Sequence, residues 1–124
     1  MRRVSGREKM NLSEIAFRAA EILSERGLAR GWLIDSRKRV CNNGALLLAM
    51  GAEEVGLGMH GPGLLLPRGD IPAWDKLQHT ELAILAEKNI LVEYISEYND
   101  LESVSAEDVI LLLKETGKRL ETEC

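Results

Sequence analysis

Apolar residues recur at helical spacing in three stretches of the chain. In the first, Leu12, Ile15, Ala16, Ala19, Ile22 and Leu23 share one side, while Glu14, Arg18, Glu21 and Glu25 lie elsewhere on the wheel. Asn11 stands where its side chain can cap this helix, and Glu14, three residues on, completes the capping-box pattern. Gly27 ends it. In the last stretch Val109, Leu112, Leu113, Thr116 and Leu120 form the stripe, with Ser105 as cap and Asp108 as its reciprocal partner. Gly117 weakens that helix by up to ~1 kcal/mol relative to Ala. Between the two, Trp74, Leu77, Leu82, Ile84 and Leu85 support a helix starting at Pro72 or Ala73 and running to about residue 88, with a break near Asn89.

The pattern differs between residues 31 and 51. Trp32, Leu33 and Ile34 are a short apolar run, residues 35–38 turn the chain, and Arg39, Val40 and Cys41 return it, which predicts a tight two-stranded antiparallel ribbon. Asn42 or Asn43 can cap a helix over residues 44–50, stopped by Gly51. Its sequence, ALLLAM from Ala45, has almost no polar face, so it should be buried with the other helices packed round it. The expected fold is mostly α: about four helices around this short buried one, with the small ribbon. Residues 90–98 are ambiguous between a continued helix, a second short helix, and a strand near 92–96. Residues 51–72 hold six glycines and three prolines and read as a long loop, with Leu64, Leu65 and Leu66 pinning its middle to the core.

The chain's 124 residues suit one domain, here residues 11–124, after a disordered basic tail at 1–10. Hydrophobic residues make up 45% but aromatics only 4%, so aliphatic side chains must fill the core. Net charge is -4 and the pI near 5.3. That balance argues against a general nucleic-acid binder. The longest apolar run is far short of the ~20 residues of a membrane span, and no signal-peptide core is present at the start. Two cysteines give no disulfide framework, and a reducing cytoplasm is the default expectation. Charge is uneven: Arg2, Arg3, Arg7 and Lys9 cluster at one end, while residues 91–124 carry nine acids against three bases.

Few residues suggest chemistry. Gly56, Gly58 and Gly61 spell G-x-G-x-x-G, but a helix precedes them and Pro62 follows, so the strand–turn–helix setting of a dinucleotide site is missing. His60 and His79 show no metal-ligand spacing with Cys41, Cys124 or a carboxylate, and neither a metal nor another cofactor is expected. Cys41 is the one weak catalytic candidate. It lies just before a helix N-terminus, with Lys38 and Arg39 close in sequence, and both features lower a thiol pKa. The plainer reading is a buried, inert cysteine. Arg37, Lys38 and Arg39 at the ribbon tip could touch phosphates, or simply be solvated.

The motifs A-A-E-I-L-x3-G (19–27), G-W-x2-D (31–35), V-C-x2-G-A-L-x2-A-x-G (40–51), Y-N-D (98–100) and the capped S-x2-D-V (105–109) occur in this order. Together they resemble an uncharacterised family of small proteins from actinobacteria and their phages, domain-of-unknown-function family 6197, over most of residues 12–120. The resemblance implies that Cys41 and Ala45 stand in the family's cysteine-glycine-alanine motif at a helix start. It likewise implies that Asn99 and Asp100 end its tryptophan-asparagine-aspartate motif, with Tyr98 in place of the tryptophan. It implies one helical domain and a cluster of Cys41, Asn99 and Asp100, and no reaction. The expected function is a non-enzymatic, phage-related interaction or accessory module whose partner is a protein or a second copy of the chain. The residues expected to matter are Trp32, Cys41, Leu65, Leu66, Tyr98, Asn99 and Asp100. A thiol-dependent enzyme using Cys41 and a weak nucleic-acid-binding accessory protein are the alternatives.

Overall fold

The helix α1 (Leu12–Arg26) starts where the Asn11 side chain accepts the Glu14 N–H at 2.9 Å and Glu14 accepts the Asn11 N–H at 3.1 Å, so the reciprocal cap satisfies two donors that the helix itself leaves free. Gly27, at φ 89°, takes the chain out of the helix in a conformation that L side chains rarely adopt. The structure is a computed structural model that describes residues 11–56, 62–65 and 71–122. The other helices are α2 (Asn42–Ala49), α3 (Ile71–Glu87), α4 (Ile95–Asn99) and α5 (Ala106–Thr122). The fold is mostly helical. The tail at 1–10, Met59, His60 and Leu66 lie outside the described residues.

The largest helix–helix interface joins α1 and α5. Ile15, Ala16, Ala19, Ala20, Ile22 and Leu23 of α1 are buried with Val109, Leu112, Leu113, Thr116 and Leu120 of α5. Gly117 faces the Phe17 ring so closely that a Cβ there would lie 2.8 Å from it, which gives this helix-weakening residue a packing reason. The helix α2 packs on α1 and α4, and α3 packs on α5. The expectation that α2 forms the centre is therefore corrected. Eight residues make a rod of only ~12 Å, about half the length of α1, α3 or α5, and Leu47 and Leu48 stay half-buried.

The ribbon expected at 32–34 and 39–41 does not form as a pair of strands. Ile34 and Val40 make a single antiparallel bridge, and Val40 also bridges Leu28 in parallel. Asp35 takes up the turn instead. Its Oδ1 accepts the N–H groups of Arg37 and Arg39, each at 2.9 Å, and Lys38 sits at φ 69°. The Leu33 carbonyl accepts the Cys41 N–H at 3.3 Å, which bends the first arm over the start of α2 and leaves Trp32 62% exposed. The described two-stranded sheet lies elsewhere, with β1 (Glu53–Gly56) antiparallel to β2 (Pro62–Leu65). Leu64 is half-buried against the core, whereas nothing is described of the Leu65 side chain.

The break near Asn89 is present. Asn89 adopts φ 64°, and Ile90 N–H returns to the Leu85 carbonyl at 2.9 Å, closing α3 with a left-handed cap. Residues 92–94 form no strand, because the Glu97 carboxylate gathers the N–H groups of Glu93 and Tyr94 at 2.8 and 2.9 Å and starts α4. Ile90 and Val92 pack partly against the core.

Candidate functional site

Cys41, rather than Asn42 or Asn43, caps α2: its Sγ accepts the Gly44 N–H at 3.3 Å. The helix therefore begins two residues earlier than the polar pattern suggests. Asn42 is drawn inward and its N–H goes to Asn99 Oδ1 at 2.9 Å. Gly44 is required by approach. A Cβ at this position would lie 2.0 Å from the Leu33 carbonyl oxygen, so only glycine lets the bent arm rest on the first turn of α2. Asn99, 1% exposed, joins three segments: besides Asn42, its Nδ2 donates to the Ala29 carbonyl at 3.0 Å and to Asp100 Oδ1 at 3.1 Å. Asp100 Oδ1 also accepts the Gly31 N–H at 3.0 Å. Arg30 fastens the same seam from outside by donating to the carbonyls of Leu101 and Val104.

These bonds shape a cleft of about 200 Å³ lined by Gly31, Trp32, Leu33, Cys41, Asn43, Ser96, Asn99 and Asp100. It is smaller than the ~300–1,000 Å³ of pockets that hold whole cofactors or drug-sized ligands. Its rim is apolar at Trp32 and Leu33, 62% and 42% exposed, and its formal charge is the Asp100 carboxylate.

Behind the cleft runs a buried polar chain. Asn42 Nδ2 donates to Glu81 Oε1 at 3.0 Å and to Asn43 Oδ1 at 3.2 Å, and Gln78 Nε2 donates to Asn43 Oδ1 at 3.0 Å. Glu81 is fully buried on the inner face of α3, and burial pushes its carboxyl up to about 8, against a smaller downward pull from the Asn42 amide.

Cys41 is 8% exposed, and burial pushes its thiol above the ordinary value. The Gly44 and Asn43 N–H groups pull it down, and the Asp100 charge adds to the rise. The helix start that sequence favoured for activation is thus outweighed by burial. His79 is exposed on α3. Among the described residues no group of three or more His, Cys, Asp or Glu could hold a metal ion. At the turn, Arg39 pairs with Asp35 at 2.7 Å and Lys38 with Glu54 at 3.1 Å, so two of its three basic side chains are engaged within the chain. Glu54 also takes Arg26 at 2.6 Å, and the Arg26 and Lys38 bonds hold its carboxyl at about 2.

Of the residues singled out from sequence, Trp32, Cys41, Asn99 and Asp100 come together at the cleft. Tyr98 is buried in the core on α4 and does not line it. Leu66 and the Leu65 side chain are outside what is described. The sequence reading missed Glu81 and the inward turn of Asn42. Spacing held the signal for Glu81, which lies four residues after Leu77 and four before Leu85, in the middle of the buried face. Ser96 was missed as well, and no local pattern marks it.

Among the described residues no helix is long and apolar enough to cross a membrane. No curated protein and no solved structure matches the chain. A family profile matches residues 7–119, nearly the whole chain. The protein with this cleft belongs to the family of unknown function DUF6197.

Proposed function

We propose that the chain is a non-enzymatic recognition module that binds a protein partner by receiving one basic side chain of that partner in the cleft. The observation that carries this reading is an exposed indole beside a lone carboxylate: Trp32 is 62% exposed, and both it and Asp100 line the cleft. Asp100 uses Oδ1 for the Gly31 N–H and the Asn99 amide, which leaves Oδ2 for solvent or a ligand. An ammonium or guanidinium group beside an indole face gains ~0.5–1 kcal/mol when exposed and about 2 when desolvated. The surplus of acids over bases in residues 91–124 favours the same sign of ligand. The volume fits a side chain better than a cofactor, and the raised Cys41 pKa speaks against thiolate chemistry.

Titration of the isotope-labelled protein with short peptides containing Lys or Arg, followed by NMR, tests this. Peptides with a basic residue should shift the Trp32 indole and the Gly31 and Ser96 amides, and Asp100→Asn should weaken the response about tenfold. The reading fails if Gln-substituted peptides produce the same shifts, or if no peptide does so at millimolar concentration. A second reading, self-association, is favoured by Leu91 and Tyr94, 83% and 62% exposed in the segment leading to α4. A sedimentation coefficient independent of concentration up to the millimolar range would dismiss it.

A further inference from the structure

Two buried side-chain atoms have no hydrogen-bond partner among the described residues: Glu81 Oε2 and Asn42 Oδ1. They belong to two side chains already joined by one bond, Asn42 Nδ2 to Glu81 Oε1 at 3.0 Å. A buried acceptor left unpaired is costly, and here two acceptors are left on the two partners of a single contact. As two oxygens they cannot satisfy each other unless one of them carries a hydrogen. An amide oxygen at neutral pH carries none, whereas a carboxyl can.

We propose that Glu81 is a neutral carboxylic acid in the folded protein. Its Oε2–H donates to Asn42 Oδ1 and closes a two-bond acid–amide ring that positions Asn42. No bond beyond O–H is made or broken: the proton that the unfolded chain gives to water is retained on Oε2. The ring fixes α3 to the start of α2, and the Asn42 N–H carries that constraint to Asn99 Oδ1 at 2.9 Å, behind the cleft. Glu81 is thus a positioning residue for the cleft whatever the cleft binds.

The surroundings agree. Asn42 and Gln78, the hydrogen-bond partners of Glu81, are neutral amides. The buried residues of α1 are apolar apart from Ser13, and those of α5 are Val109, Leu112, Leu113, Thr116, Gly117 and Leu120, none of them ionisable. The helix α4 contributes Ile95, Tyr98 and Asn99, with Asp100 after it, and α2 is preceded by Cys41. None of Tyr98, Asp100 and Cys41 can carry a positive charge that would favour an ionised Glu81. On α3 itself Lys76 and His79 are exposed. Burial raises the Glu81 carboxyl to about 8.

Between the ordinary glutamate value of 4.5 and about 8, the folded chain keeps a proton that the unfolded chain has released. Stability from this group is fully present below 4.5 and is lost as pH rises toward 8. The variant Glu81→Gln can make both bonds of the ring and cannot titrate. The folding equilibrium constant of Glu81→Gln relative to the unsubstituted protein should therefore rise about tenfold per pH unit from roughly pH 5 to 8, reflecting one proton. The infrared spectrum at pH 7 should contain a carbonyl band of a protonated, hydrogen-bonded carboxyl group that Glu81→Gln removes. Amide signals of Asn42 and Asn99 should titrate in the Cys41→Ser protein and stay constant when Glu81→Gln is added. A flat stability ratio, or absence of the protonated-carboxyl band at pH 7, overturns the proposal. If Glu81→Gln does not fold, the band in the unsubstituted protein decides alone, present in support and absent against.

Discussion

A single missing methyl group sets how the bent arm meets α2. The virtual Cβ at Gly44 would sit 2.0 Å from the Leu33 carbonyl oxygen, an atom of the main chain that cannot swing aside as a side chain would. Gly44→Ala should destabilise the protein by about 3 kcal/mol, at the upper end of overpacking costs, although alanine is the better helix former. A denaturant midpoint unchanged by this substitution would show that the arm can lift off. The neighbouring Cys41 makes a different point. Its sulfur serves as a cap and the residue is 8% exposed, so iodoacetamide should react slowly, with a rate rising at pH above the ordinary thiol value of 9.0. Fast alkylation below pH 8 would restore a reactive thiol. The Gly44 role comes from a contact eleven positions away and the Cys41 cap from one only three away, yet residue identity alone reveals neither. A glycine before an apolar run reads as a helix start, and a cysteine there reads as activated.

At the scale of elements, local chemistry was legible and distant chemistry was not. The caps at Asn11 and Ser105 and the stop at Asn89 could be read because each depends on side chains within a few residues of the helix end they control. The two-stranded ribbon could not be excluded in the same way. Its first arm has strand-like residues, but the Leu33 carbonyl is claimed by Cys41 and the turn amides by Asp35. The family resemblance grouped Asn99 and Asp100 with Cys41 without giving them a task, which is to tie α4 to α2 and to residues 29–31. Asn99→Ala leaves the buried Asn42 N–H and the Ala29 carbonyl without this partner and should cost about 2–6 kcal/mol, the sum of two unmet buried groups. Amide exchange at Asn42 should accelerate in that variant more than exchange within the α1–α5 interface. Equal acceleration at both places would mean that the seam unfolds only with the whole protein.

For the whole molecule, two carboxyls pull the pH dependence in opposite directions. The Glu54 carboxyl is held at about 2 by Arg26 and Lys38, so its contribution is present above 4.5 and is lost as pH falls toward 2. The Glu81 contribution is lost as pH rises from 4.5 toward 8. Holding a group of that pKa neutral at pH 7, when the unfolded chain ionises it, removes on the order of 3 kcal/mol relative to pH 4.5. Maximum stability is therefore expected near pH 4.5–5, below the usual range of about 5–8. Thermal melts across pH 3–9 measure it, and a maximum above pH 7 would contradict the balance. The pairing of α1 with α5 carries a consequence of another kind. The two helices are separated by roughly eighty residues, which a ribosome adds over roughly 4–16 s. Throughout that interval α1 has been made and α5 has not. Until α5 emerges, the part of the α1 face that it covers must stand either in water or in the care of a chaperone. The pairing of α1 with α5 is therefore completed only after every other described element has been made.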